Sequence, residues 1–202
     1  MTSVLEPYAD PPILSSKLTR NSLHILSKYT GVNFYRYTGK YILPLHVNGN
    51  ELKKRFPDLD FHQFYCFSFV RNPWDRLVSM HTFLRLPRKN ITSPKVYKKM
   101  SKLSFPKYVE YTCLESKPSS QYEQMLFDED GKLRMDYIGK MEIFSHDFKC
   151  ILESLNIKQT IVPHTNTTKH AKYVDYYDDY TRKLVSNAFA LDIEAFQYRF
   201  GD

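Results

Sequence analysis

The 202-residue chain is poor in the residues that form metal, disulfide or glycine-loop sites: it contains three cysteines and six glycines. Cys66, Cys113 and Cys150 form an odd set without CxxC spacing. Two of them lie in apolar runs, so we expect buried thiols of a reducing compartment, with no disulfide framework and no metal. A glycine-rich loop followed by Lys-Ser/Thr is also missing, which disfavours a P-loop kinase.

Long apolar runs and long basic runs are missing as well. No stretch is long enough to span a membrane, and residues 1–20 lack the apolar core of a signal sequence, so we expect a cytoplasmic protein without a membrane span. The formal net charge of +7 favours an anionic partner. That partner could be a nucleotide, an acidic glycan, nucleic acid or a membrane surface, and charge by itself does not choose among them. Because the basic residues are scattered among carboxylates without a long basic run, we expect no nucleic acid.

The composition that is present predicts one folded unit. Hydrophobic residues make up 42% and aromatic residues 15% of the chain, which excludes a disordered protein. The length suits a single domain, 1–202, whose residues 1–11 form a proline-containing arm. Strand patterns that alternate with helical ones indicate an α/β fold. The sequence does not indicate an oligomeric state.

The segment from Phe64 to Leu86 is the most informative stretch. Its first part, Phe64 to Val70, is uncharged and without helical period, which predicts a strand buried on both faces. Asn72 suits a helix N-cap and Pro73 the first helical position, so a helix should follow at once. Asp75 falls in its first turn. The apolar positions expected to face the core are Leu77, Val78, Met80 and Leu84.

An arginine between a strand and a helix N-terminus is suited to hold a phosphate. Arg71 has that place, although Arg71 and Arg76 could also be solvated or paired with Asp75. The run from 69 to 80, FVRNPWDRLVSM, resembles the 3′-phosphate-binding motif of PAPS-dependent sulfotransferases, particularly the carbohydrate group and its bacterial relatives. Arg71, Pro73, Arg76 and Ser79 match its four motif positions.

The resemblance implies that Arg71 and Ser79 grip the 3′-phosphate of 3′-phosphoadenosine-5′-phosphosulfate (PAPS). His81 stands where the family usually has an aromatic residue. The family also has animal members anchored in the Golgi, so a trimmed domain of this kind would belong to the Golgi lumen.

The first phosphate loop of the family ends a strand and holds the 5′-phosphosulfate through a lysine and backbone amides. On that pattern Lys17 takes the lysine position and Ser22 the final serine, while Thr19 and Arg20 replace the two glycines. Arg20 could supply charge and hydrogen bonds in place of the loop amides, or the loop could have lost its function. Lys17 and Arg20 could also be a solvated start of a helix.

His46 is the candidate general base. Bacterial relatives carry a histidine just before a Glu-Leu-Lys-like helix, and His46 precedes Glu51-Leu52-Lys53. Imidazole titrates near neutral pH and can take the proton of an attacking hydroxyl. A lone histidine is more often an ordinary surface or core residue, and Glu51 is a rival base.

Residues 87–104 are rich in lysine and are either an acceptor-recognition segment or a solvated excursion. A helix over 105–114, capped by Ser104, should bury Tyr108 and Val109. Residues 121–142 resemble a family segment with a glutamine, a glycine turn and an Asp-Phe-Ile-Gly-Arg-x-Glu-like run, in which Lys140 replaces the arginine.

The C-terminal part should contain a helix capped by Ser145 and a short strand at 161–163. Lys169 lies in a polar loop that in relatives approaches the donor, and it is a further candidate phosphate contact. Tyr173, Tyr176, Tyr177 and Tyr180 either stack on a base or sugar or pack in the core. The last helix should run to about Ala190, and Phe196, Tyr198 and Phe200 should close the core.

Taken together, the resemblance implies a three-layer α/β fold with a central, mainly parallel sheet and a P-loop-like donor site. It implies transfer of a sulfuryl group from PAPS to a carbohydrate or other small hydroxylated acceptor, without a metal. The catalytic residues would be His46 and Lys17, and the donor would be bound by Lys17, Arg20, Ser22, Arg71, Ser79 and Lys169. The alternative is a catalytically weak module that binds a nucleotide or an anionic glycan.

Overall fold

The computed structural model describes residues 48–49, 53–54, 57, 60, 62, 64–86, 98–116, 118–157 and 171–202. Outside them lie the arm 1–11, the predicted strand at 161–163, most of segment 87–104, and the site candidates Lys17, Arg20, Ser22, His46 and Lys169. Within the described ranges, no helix combines the length and the apolar character that crossing a membrane requires.

The described elements are two strands and a larger number of helices and helical turns. In chain order they are β1 (Phe67–Val70), α1 (Pro73–Arg85), α2 (Phe105–Glu110), a π-helical turn (Tyr111–Ser116), β2 (Tyr137–Lys140), a 3-10 turn (Met141–Ile143), α3 (Phe144–Ser154), a second 3-10 turn (Tyr173–Tyr176), α4 (Asp179–Ala188) and α5 (Ala190–Phe196). The structure is rich in helix around a small parallel sheet, which fits the expected α/β class.

The two strands are parallel, in register from Phe67 opposite Tyr137 to Val70 opposite Lys140. Successive side chains of a strand point to opposite faces of its sheet. Val70 accordingly lies in the larger hydrophobic core, while Phe69 packs against Phe148 in a smaller one. Helices therefore cover both faces of this strand pair. A larger sheet in a three-layer, P-loop-like arrangement stays a prediction.

Strand β1 is shorter and less buried than the sequence predicted. Phe64 is 44% exposed and precedes the strand, which begins at Phe67. The side chain of Asp136 accepts a hydrogen bond from the Cys66 N–H at 2.6 Å, so pairing between the strands begins one residue later. Of the four strand residues Val70 alone is buried, and burial on both faces along the whole run was wrong.

Helix α1 begins as predicted. The Asn72 side chain accepts a hydrogen bond from the Trp74 N–H at 3.1 Å, Pro73 is the first helical residue, and Asp75 lies in the first turn. The predicted core face was wrong at Met80, which is 43% exposed. The buried face instead repeats every three or four residues and consists of Trp74, Leu77, Val78 and His81.

His81 takes the place of the aromatic residue that is usual in the family. Its side chain is buried, and its ring centroid lies 5.5 Å from that of Phe105 and 5.3 Å from that of Tyr108. Its Nε2 atom lies 2.9 Å from the Leu103 carbonyl oxygen. The imidazole thus serves as an aromatic core residue with one polar contact.

Two predicted helix starts differ in detail. Ser104 has the N-cap position of α2 without a side-chain cap bond, and Tyr108 and Val109 are buried as expected. Ser145 is not the cap of α3, because the 3-10 turn runs directly into the helix at Phe144. The Phe144 ring stacks on Phe148 at a centroid distance of 5.4 Å, which helps to begin the helix two residues earlier than predicted.

The tyrosines before α4 belong mainly to the core. The ring of Tyr177 meets that of Phe105 edge-on at 4.9 Å, and Tyr173 meets Phe200 at 5.6 Å. Tyr180 is 55% exposed. The predicted last helix corresponds to α4, which ends at Ala188, and a further helix that was not predicted, α5, follows it. Residues near the end close the larger core as expected, namely Phe196, Tyr198 and Phe200.

Candidate active site

Arg71 is the first residue beyond the paired part of β1. Its Nε atom lies 2.7 Å from Asp75 Oδ2, and both side chains are partly buried. Pairing with Asp75, one of the two alternatives to phosphate binding, is therefore present. The bond uses Nε, and the terminal guanidinium nitrogens make no ion pair with the described residues. They are the atoms with which an arginine can form a two-pronged contact to a phosphate.

Two backbone amides at the start of α1 are already engaged. The Trp74 N–H donates to Asn72 Oδ1, the Asn72 N–H donates to Glu142 Oε1 at 2.6 Å, and Pro73 has no N–H. The general attraction of a helix N-terminus for anions is thus directed at protein side chains. Among the described residues, Arg71 is a cation that the junction itself contributes for holding an anion.

Ser79 follows Asp75 by four residues on α1, so the two side chains are neighbours on the helix surface. Because Asp75 contacts Arg71, the guanidinium and the Ser79 hydroxyl flank the same stretch of helix. Ser79 is half-buried. Contact of Arg71 and Ser79 with one phosphate stays a prediction.

Arg76 points toward the interior. Its Nη1 atom is buried without a hydrogen-bond partner among the described residues. Burial lowers the pKa of Arg76 below its usual value, against the opposing effect of the Asp192 carboxylate and Tyr108. The second arginine of the motif therefore faces the core and the C-terminal helices.

A cleft of about 550 Å³ opens beside the junction, at the carboxyl ends of the parallel strands, where open α/β sheets usually bind ligands. Its lining comprises Asn72, Asp75, Glu142, Ala171, Lys172, Tyr173, Val174, Gly201 and Asp202. Three carboxylates and one lysine make the described lining acidic.

Each of the lining carboxylates already accepts a hydrogen bond or forms an ion pair within the protein. Asp75 pairs with Arg71, and Asp202 Oδ2 accepts from the Arg199 N–H at 2.6 Å. Glu142 accepts from Asn72 and from the Tyr198 hydroxyl, the latter at 3.1 Å. Burial, followed by the Glu142 charge, raises the pKa of Tyr198, so that hydroxyl stays a proton donor. The described residues include no group of three or more potential metal ligands.

Two residues in the segment 121–142 act on the junction, and sequence reasoning assigned them no role. The Gln121 side chain accepts from the Arg71 N–H at 3.0 Å and donates to the Arg71 carbonyl at 2.8 Å. Glu142 holds the next residue, Asn72. In the sequence, Gln121 and Glu142 stand out only as parts of the segment that resembles the family. Lys140, which replaces the family's arginine, lies over the Tyr198 ring at 4.7 Å.

His46 lies outside the described residues, but the chain just after it is anchored. The Gly49 N–H donates to the Gln124 carbonyl at 2.9 Å. A Cβ atom on Gly49 would collide with the Met125 carbonyl oxygen, so the two backbones approach more closely than any other residue allows. Gly49, three positions after His46 in the sequence, is therefore tied to the turn that contains Gln121.

The arrangement defines a class of protein: an α/β protein with an arginine at the carboxyl edge of parallel strands, flanked by a helix and a ligand-sized cleft. The sequence model of the sulfotransferase family matches residues 32–199, and the chain belongs to this family. The match includes His46, Arg71, Ser79 and Lys169 and begins after Lys17, Arg20 and Ser22. No curated protein and no solved structure matches the chain significantly. Membership confirms the sulfotransferase resemblance and supports sulfuryl transfer as the reaction class.

Proposed function

We propose that the protein transfers the sulfuryl group of PAPS to a hydroxyl of a carbohydrate or other small hydroxylated acceptor. The observation that carries the proposal is Arg71 at the end of β1, with its terminal guanidinium nitrogens unused by the described residues and Ser79 on the adjacent helix surface. PAPS differs from adenosine 5′-phosphosulfate by its 3′-phosphate. The side chains of Arg71 and Ser79 are the groups suited to bind that phosphate.

The reaction is an in-line displacement at sulfur. The acceptor oxygen forms a bond to sulfur as the bond between sulfur and the 5′-phosphate oxygen breaks, and 3′-phosphoadenosine-5′-phosphate leaves. The acceptor proton passes to His46, and Lys17 with Arg20 and Ser22 neutralises the charge that develops on the leaving phosphate. Lys169 adds a further contact to the donor. This division of roles rests on the sequence motifs, and the chemistry needs positioning and charge more than covalent participation.

The first test compares thermal unfolding with 3′-phosphoadenosine-5′-phosphate and with 5′-AMP, which lacks the 3′-phosphate. Selective binding to the folded state raises the melting temperature as ligand concentration rises. We expect a rise with the bisphosphate that exceeds the rise with AMP. Arg71→Ala should abolish the difference because it removes the guanidinium at the junction.

Arg85→Ala is the matched control, because Arg85 is exposed in the last turn of the same helix and, among the described residues, bonds the Leu103 carbonyl away from the junction. It should keep the preference for the bisphosphate. Equal shifts with the two nucleotides in the wild-type protein would contradict PAPS as the donor.

A second test addresses the role of His46. His46→Ala should lower turnover by about 100-fold or more, the usual range for a general base, while the affinity for the bisphosphate stays within about twofold. Transfer of labelled sulfate and nucleotide titration measure the two quantities. An equal loss in both would exclude the base role and favour a structural histidine.

The replacement of both loop glycines by Thr19 and Arg20 favours one alternative, a catalytically weak module that binds a nucleotide or an anionic glycan. Label transfer separates the two functions. Transfer from PAPS to any hydroxylated acceptor supports the enzyme, whereas glycan or nucleotide binding without transfer supports the module.

A further inference from the structure

The backbone of Arg71 is held by one side chain from a distant turn. Pairing of β1 with β2 ends at Val70 opposite Lys140, so Arg71 is the first residue without a strand partner in that pair. Gln121 bonds both the N–H and the carbonyl of Arg71, at 3.0 and 2.8 Å. An amide that bonds both groups of one residue does what a neighbouring strand would do. Gln121 thus continues the backbone hydrogen bonding of β1 by one residue, to Arg71.

Gln121 is itself held by helix α5. Asp192 Oδ2 accepts hydrogen bonds from the Gln121 N–H at 2.9 Å and from its Nε2 at 3.3 Å, and Oδ1 accepts from the Tyr122 N–H at 2.9 Å. The Asp192 side chain has no exposed surface. A buried carboxylate that accepts from the side-chain Nε2 determines which way the amide faces, because reversal of the amide would place oxygen against oxygen.

Asn72 is held by a parallel set of contacts. Its N–H donates to Glu142 Oε1, and Glu142 Oε2 accepts from the Tyr198 hydroxyl. The Asn72 side chain donates to the Arg199 carbonyl at 3.1 Å. Tyr198 is 4% exposed, so its hydroxyl has a defined position. Residues 192–199 therefore reach both members of the junction, one through Gln121 and one through Glu142.

We infer that Gln121 and Glu142 are positioning residues, through which Asp192 and Tyr198 hold Arg71 in place for the 3′-phosphate of the donor. The inference rests on the proposed function. A guanidinium can form two parallel bonds to a phosphate only when its plane and its distance are correct. The backbone of Arg71 fixes where its side chain begins, and the contact of Nε with Asp75 then orients the guanidinium. Helix α5, through Asp192, and Tyr198 just after it thus contribute to donor selectivity without contacting the donor.

The test measures two dissociation constants by calorimetric titration, one for 5′-AMP and one for 3′-phosphoadenosine-5′-phosphate. The first divided by the second is the selectivity ratio. Gln121→Ala should lower this ratio by about tenfold, which corresponds to loss of one well-placed charged contact, while the dissociation constant for AMP stays within about twofold. If Gln121 had a merely structural role, its replacement would weaken the binding of both nucleotides equally or reduce the folded fraction.

Gln124→Ala is the matched control. Gln124 lies in the same turn, and its side chain, like that of Gln121, donates two hydrogen bonds. Its acceptors are the carbonyls of Ser119 and Ser120, so it does not reach the junction. It should leave the ratio unchanged. A loss of the ratio in Gln124→Ala equal to that in Gln121→Ala would overturn the inference in favour of general loosening of the turn.

Tyr198→Phe tests the second set of contacts and nearly keeps the volume of the core. It also serves as the test variant if Gln121→Ala does not fold. It removes only the hydroxyl that holds Glu142 and should lower the ratio by about threefold. If both folded variants keep the wild-type ratio, the positioning role is wrong while the proposed function stands. If the wild-type protein shows no preference for the 3′-phosphate, the proposed function is wrong and the inference falls with it.

Discussion

At the scale of single residues, Asn72 joins the start of α1 to the rest of the molecule. It has no exposed surface, caps the helix through Oδ1, and donates through Nδ2 to Arg199 and at 3.4 Å to the Tyr173 hydroxyl. Asn72→Ala should lower the free energy of unfolding by about 2–3 kcal/mol, because a cap is lost and the partly buried contact to the Arg199 carbonyl is lost with it. Urea denaturation measures the change.

Ser145→Ala is the informative comparison for this prediction. Ser145 looks like a cap in the sequence, but it is exposed and lies inside α3. Its replacement should change the free energy of unfolding by less than about 0.5 kcal/mol. A larger effect at Ser145 than at Asn72 would show that the two helix starts had been assigned incorrectly.

At the scale of the elements, the contact between β2 and β1 depends on Gly139. A Cβ atom there would lie 2.5 Å from Phe69 Cε1, and the Phe69 ring has Phe144 at 4.9 Å on its other side. Gly139→Ala should therefore lower the free energy of unfolding by about 1–3 kcal/mol through overpacking. Urea denaturation of the purified variant measures the loss.

The cause can be separated from a backbone effect by adding Phe69→Leu. If steric conflict with the ring is responsible, the double variant should lose less stability than the two single variants added together. Additive losses would mean that the substitution at Gly139 acts through the strand backbone and not through Phe69.

At the scale of the whole molecule, Asp147 links β2 to α3 and makes stability depend on pH. Its carboxylate accepts from the Lys140 N–H at 2.6 Å and the Tyr137 hydroxyl at 3.1 Å, with a His146 ring nitrogen 3.1 Å away. Burial alone would raise the pKa of Asp147, but these contacts outweigh burial and lower it. The ionised form therefore favours the folded state.

The direction of the pH effect follows from this lowered pKa. The contribution is complete above the pKa of an unfolded aspartate, about 3.9, and disappears as pH falls through the lower folded value. Asp147→Asn should cost about 2 kcal/mol at neutral pH and less at about pH 3, with the cost vanishing only below the lowered folded pKa. Urea midpoints at the two pH values measure the difference.

Asp179→Asn is the control, because the Asp179 side chain is 96% exposed and its ion pair, with Arg182, lies on the helix surface. It should shift the free energy of unfolding little at either pH. A cost of Asp147→Asn that is the same at both pH values would contradict the role of the charge.

The features that could be predicted from sequence are local ones. Asn72, Pro73 and Asp75 are recognisable because a helix start depends on residues within one turn. The face of α1 was predicted less well: Met80 was placed in the core for its apolarity, whereas His81 has the buried position that helical geometry sets. The family resemblance predicted motif positions, and it did not show how they are held.

What the sequence determined by itself is the α/β class, the strand-to-helix junction at Arg71, and membership of the sulfotransferase family. What only the tertiary structure decided is the surroundings of that arginine. Gln121 reaches Arg71 across 50 residues and Asp192 reaches Gln121 across 71, separations at which no local pattern specifies a partner. Such contacts exist because packing of α5 and the turn at 121–124 brings polar groups together that burial then obliges to pair.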